Sequence, residues 1–151
     1  MTHGTSNLES HLGYWLRFAS NHVSHAFRLK VESHGVTVAE WVVMRVLFDA
    51  DAIRPSRIAD MIGMTRGAVS KLVERLSGKG LAVCRAEKAD RRFQTVALSA
   101  AGRKLVPALA ALGDENDREF FGHLSERERE DLFAALKRIV RNRGLRSVPV
   151  D

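Results

Sequence analysis

One cysteine, three prolines and one tyrosine are all that 151 residues contain of those types. A lone thiol, Cys84, excludes an internal disulfide framework and any zinc finger built on two or four cysteines. The longest nearly unbroken apolar stretch, residues 105–113, is far shorter than a membrane span, which needs about 20 apolar residues. The first four residues, Met1-Thr2-His3-Gly4, lack the basic segment and apolar run of a secretory signal. The expected setting is therefore the cytoplasm, with no membrane partner. Low-complexity tracts are missing, which sets aside disordered, collagen-like and mucin-like chains. So are a phosphate-cradling glycine loop, a Gly-x-Ser-x-Gly elbow and a metal triad. The sequence thus points to no catalytic residue, no metal and no cofactor, and an enzyme without a recognisable motif is the lesser alternative.

What is present is an ordinary globular composition, 45% apolar and 28% charged, in a chain long enough to bury a core. The net charge of +6 is unevenly placed. Residues 1–53 carry four Lys/Arg against five Asp/Glu, and residues 105–151 carry eight against nine. Residues 54–104 carry twelve against four, a local charge of +8. Such a segregated field suits a polyanionic partner, or a solvated face that favours solubility. Charge alone does not choose between them.

Helical spacing organises both flanks. Ser6 and Glu9 have the form of a capping box that opens a first helix, with Leu8, Leu12, Leu16, Ala19 and Val23 at core spacing. Trp15, Phe18, His22, His25 and Leu29 widen that stripe beyond what one packing contact needs, which points to a second contact such as another subunit. Thr37 and Glu40 form a second box before a helix reaching Phe48. Ser56 is the expected N-cap of a short third helix that Gly63 ends. Thr65 caps a fourth, with Val69, Leu72, Val73 and Leu76 inward. The period then shifts toward two. Residues 81–85 and 95–98 read as strands around a charged connector, a β-hairpin. Ser99 caps a fifth helix that Pro107 is expected to bend, and Ser125 with Glu128 opens a sixth. Gly144, Ser147 and Pro149 predict a frayed tail.

A short helix, a tight turn, a second helix and a hairpin make a winged helix-turn-helix. The fourth helix suits the DNA major groove, because its outward positions are hydrogen-bonding, cationic or empty and its first amides favour a phosphate. A basic hairpin tip can reach the neighbouring minor groove. The candidate DNA-binding set is Arg54, Ser56 and Arg57 at the head of the third helix, Thr65, Arg66, Gly67, Ala68, Ser70, Lys71 and Arg75 on the fourth, and Lys88, Asp90, Arg91 and Arg92 in the hairpin.

The run from Thr65 to Leu76, with Trp41, Ile58-Ala59, Gly80-Leu81, Asp90-Arg91-Arg92, Val96-Ala97-Leu98-Ser99 and Gly102, resembles the MarR family of bacterial winged-helix regulators along essentially the whole chain. The resemblance implies a mostly helical homodimer with a hairpin wing, whose first, fifth and sixth helices interlock. Residues 1–34 would then be a dimerisation helix, 35–100 the DNA-binding lobe and 101–151 the remaining dimerisation helices, in one compact protomer. It further implies that Arg92 enters the minor groove, that Asp90 orients the wing, and that the protein represses transcription from a pseudo-palindromic operator in double-stranded DNA. Many members release DNA on binding a small aromatic or phenolic effector, and the family's pocket position corresponds here to His11, Trp15, Met44 and Arg45. Gly67 and Ala68 depart from the larger polar residues common at those places, so readout should lean on Arg66, Ser70, the wing and DNA shape. The competing reading is a winged-helix module used for architecture or protein contacts, without an effector. Cys84, His22 and His25 read as structural.

Overall fold

The computed structural model describes residues 4–151. Its helices are α1 (Leu12–Glu32), α2 (Val38–Phe48), α3 (Pro55–Ile62), α4 (Arg66–Gly78), α5 (Ala100–Phe121) and α6 (Glu126–Asn142), with β1 (Ala82–Ala86) and β2 (Gln94–Leu98) between α4 and α5. The strands pair antiparallel with Cys84 opposite Val96. Ile53 adds a bridge to Val96, with backbone bonds of 3.0 and 2.8 Å. The architecture is a winged helix-turn-helix lobe carrying three further helices.

Local chemistry explains most of the boundaries. Thr65, Ser99 and Ser125 each accept the amide three residues on, at 3.1 Å, and Ser125 with Glu128 completes a reciprocal capping box. Gly63 ends α3 at φ 70°, a left-handed geometry that a side chain would strain.

Four expectations at helix ends need correction. Ser6 and Glu9 form no capping box. Leu8–Ser10 is one 3-10 turn, α1 starts at Leu12, and the Glu9 carbonyl accepts the Trp15 indole N–H at 2.8 Å. Ser56 is not an N-cap, because Pro55 occupies the first helical position, where a missing amide costs nothing, and Arg54 precedes it. Thr37 does cap α2, yet the Glu40 carboxylate turns to Lys79 instead of closing the box. Nor is the tail frayed. The Val148 amide donates to the Ile62 carbonyl at 3.0 Å. Helix α5 continues through Pro107 without interruption.

The core lies in the lobe and at the roots of α1 and α5. Val31, Val43, Met44, Leu47, Ile58, Val69, Leu76, Val96 and Leu109 are fully buried there, each side chain contributing about 1.5–3 kcal/mol. Polar struts tie the elements together. Lys79 Nζ donates to both Glu40 oxygens, at 2.8 and 3.0 Å, and to the Gly35 carbonyl at 2.8 Å. Asn116 joins α5 to α1, donating to the Val23 carbonyl at 3.1 Å and accepting from Lys30 at 3.1 Å. Ser99 fastens the head of α5 to the end of α4, its hydroxyl donating to the Gly80 carbonyl at 2.6 Å and its amide to that of Leu81 at 3.0 Å. A β-carbon on Gly102 would collide with the Leu81 carbonyl, so this approach requires glycine.

The flanks differ from the lobe. Helix α6 has no buried residue, and Phe133 (59% exposed), Ile139 (51%) and Val140 (45%) stand open, as do Leu12 (88%), Trp15 and Leu16 on α1. Among the described residues, no helix is long and apolar enough to cross a membrane.

Candidate nucleic-acid interface

The candidate interface is set by how α4 is anchored. Val69, Leu72, Val73 and Leu76 bury one side, which leaves Arg66, Gly67, Ser70, Lys71, Glu74 and Arg75 exposed on the other. Thr65 takes up the Ala68 amide, while the amides of Arg66 and Gly67 have no acceptor within the helix. Ala68 is half-buried, and a β-carbon built on Gly67 would meet nothing within 4 Å.

The wing is held from within. Asp90 accepts from the Arg92 guanidinium at 2.7 and 3.0 Å and from the Arg92 backbone amide at 3.1 Å. A fork of this kind fixes the arginine by two parallel bonds. The Arg92 side chain is nonetheless 85% exposed. Hydrogen bonds from the Arg92 side chain, then from its backbone amide, hold the Asp90 carboxyl below its ordinary range. At the wing root, Arg54 donates to Glu87 at 2.7 and 2.9 Å and lies 4.0 Å from the Phe93 ring centroid. That bond lowers the Glu87 pKa and raises that of Arg54.

Arg54 therefore does more than the sequence suggests. It braces the hairpin against the head of α3, with Glu87 and Phe93 as partners that sequence reasoning missed. Their signal was an acid and an aromatic placed at the two ends of a charged connector. The other predicted cations behave differently. Arg57, Arg66, Lys71, Arg75, Lys88 and Arg91 lie outside the core, and among the described residues none has a carboxylate within 4 Å. Ser56 sits half-buried in the first turn of α3. An array of unpaired cations spread over α3, α4 and the hairpin connector suits an anionic backbone.

The candidate effector residues are dispersed in environment. Met44 is fully buried in the lobe, while Arg45 pairs with Asp49 at 2.9 Å. Trp15 is 52% exposed, and His11 donates from Nδ1 to the Leu8 carbonyl at 3.3 Å. A separate cleft of about 360 Å³ lies between α1 and α5, lined by Val23, Phe27, Gly113, Asp114 and Asp117 among others. His22 stacks on Phe18, and His25 accepts from Arg28 at 3.0 Å. Among the described residues, no three His, Cys, Asp or Glu side chains are grouped to hold a metal. Cys84 is exposed on β1, 3.8 Å from the Ser77 hydroxyl.

The chain is similar to known proteins in sequence and in fold. A model described as MarR family matches residues 34–92. The transcriptional regulator HosA of Escherichia coli O157:H7 is 31% identical over 118 residues, covering 78% of this chain and 87% of that protein. Among solved structures, Bordetella bronchiseptica BpsR, whose DNA binding is regulated by 6-hydroxynicotinic acid, superposes with a TM-score of 0.77 at 25% identity, covering 90% of this chain and 97% of its own. Rhodococcus jostii CouR, solved with p-coumaroyl-CoA, superposes with a TM-score of 0.76 at 20% identity, covering 89% and 95%.

Proposed function

The chain belongs to the MarR family of transcriptional regulators, and from that premise we propose a cytoplasmic, non-enzymatic repressor that binds a pseudo-palindromic operator as a homodimer. The observation that carries this reading is the set of exposed cations without carboxylate partners on α3, α4 and the hairpin connector, with the wing's Arg92 held outward by Asp90. Helix α4 enters the major groove, where Arg66, Ser70, Lys71 and Arg75 meet base edges or phosphates. Arg92 enters the flanking minor groove. Thr65, Gly67 and Ala68 line the approach, and Arg57, Lys88 and Arg91 meet the backbone. The open apolar faces of α1 and α6 support the dimer, because exposed apolar patches mark interaction sites. Residues 35–100 then form the DNA-binding lobe, and residues 1–34 and 101–151 join the protomers.

The regulation of BpsR by 6-hydroxynicotinic acid supports a small aromatic or phenolic effector. Its candidate residues are His11, Trp15, Met44 and Arg45.

The test is equilibrium binding to duplex DNA across a salt series, with Arg92→Ala as the variant. Binding should weaken steeply with salt, because each neutralised phosphate releases condensed counterions. Arg92→Ala should cost about 1–3 kcal/mol with the fold intact. An unchanged dissociation constant would remove Arg92 from the interface.

A further inference from the structure

Beyond α6 the chain doubles back onto the helix-turn-helix. Gly144 adopts φ 62°, and the Leu145 amide returns to the Val140 carbonyl at 3.0 Å, which closes the helix end. Residues 146–148 then lie on the α3–α4 turn. The Val148 amide donates to the Ile62 carbonyl at 3.0 Å, and the Ser147 hydroxyl to the Gly63 carbonyl at 3.4 Å. A β-carbon on Gly63 would lie 2.9 Å from both the Arg146 carbonyl oxygen and the Ser147 Cα. Gly63 thus answers two requirements, a left-handed helix end and room for the tail. The bond to Ile62 also supplies a donor to a carbonyl in the last turn of α3, where the helix itself offers none. Further along, Pro149 and Asp151 border a cleft lined by Asn21, Ser24, His25 and Arg28 of α1. The tail is therefore held between the lobe and a flanking helix.

This placement bears on the interface. Thr65, the N-cap of α4, follows Gly63 by two residues, a span of at most ~7 Å. Arg146 is exposed and, among the described residues, has no carboxylate within 4 Å. Arg66, also without a carboxylate within 4 Å among the described residues, opens α4 three residues after Gly63.

We propose that the segment Leu145–Val148 is part of the nucleic-acid surface, pinned to the α3–α4 turn so that Arg146 gives a cation to the DNA backbone there. The proposal rests on the reading of the lobe as DNA-binding. A phosphate contact of this kind adds affinity on any sequence and specifies none.

The test measures salt dependence of the full chain on two duplexes, one selected for tight binding and one of random sequence. Arg146→Gln should lower the slope of log K against log salt by about one and weaken both duplexes alike. Val148→Pro removes the amide that holds the tail and should lower the slope similarly, although Arg146 is still present. Arg127→Gln, at the opposite end of α6 and 3.5 Å from Asp131, should leave the slope unchanged. A wild-type slope in Arg146→Gln overturns the proposal, as does an equal drop in Arg127→Gln, which would mean that only net charge matters. A wild-type slope in Val148→Pro would refute the pinning. A wild-type chain that binds neither duplex overturns the DNA reading and this proposal together.

Discussion

Replacing Gly67 by alanine separates stability from binding. Gly67 lies in the first turn of α4, is exposed, and has open space where a β-carbon would go. Glycine within a helix costs up to about 1 kcal/mol against alanine. With nothing for the new methyl to strike, Gly67→Ala should stabilise the free protein by about 0.5–1 kcal/mol, which in a chain of this length raises the melting temperature by roughly 1–4 °C. On DNA the same methyl would stand on the face proposed to meet the groove. If the backbone approaches closely there, the methyl overpacks the contact and costs about 1–3 kcal/mol of affinity. Thermal unfolding at fixed protein concentration and anisotropy titration with a labelled duplex read the two effects independently. A destabilised variant would refute the reading of open space at residue 67. A stabilised variant with unchanged affinity would show that this face of α4 does not approach DNA closely.

Lys79→Ala should destabilise the fold by about 1–3 kcal/mol, because it leaves the buried Glu40 carboxylate without its cation, a cost reduced by the 39% exposure of Lys79 and by the Thr37 hydroxyl that still donates to Glu40. Chemical denaturation checks this, and a loss below about 1 kcal/mol would contradict it. The wing should be insensitive to pH across the neutral range. Asp90 has a folded pKa held below its unfolded value of about 3.9, so its contribution is complete above that value and is lost as pH falls through the folded one. An NMR titration of the Asp90 carboxyl carbon should show a midpoint below about 3.9, and a midpoint at or above it would refute the Arg92 fork.

Much of this fold can be read from the residues themselves. The caps at Thr65, Ser99 and Ser125, the stop at Gly63 and the change of period at the hairpin are local, so each acts through a few neighbouring residues. What escapes such reading is long-range. Glu40 has the spacing of a capping-box partner, yet Lys79, 39 residues on, offers a charge-assisted bond and wins its carboxylate. Arg54 reads as a free cation until the hairpin folds back and delivers Glu87. Gly144, Ser147 and Pro149 suggest fraying, but the open carbonyl of Ile62 captures the tail. At the candidate interface, the exposure of the α4 cations was legible from helical spacing, whereas the bracing of the wing by Arg54 required the tertiary contact.

The central claim is that two lobes read one duplex side by side. Hydroxyl-radical footprinting of the wild-type protein on its tightest selected DNA tests it most directly. The expected result is two symmetric protected half-sites about 10 bp apart, centre to centre, each flanked by protection where a wing enters the minor groove. A single asymmetric footprint, or none at concentrations where the protein is folded, would contradict it.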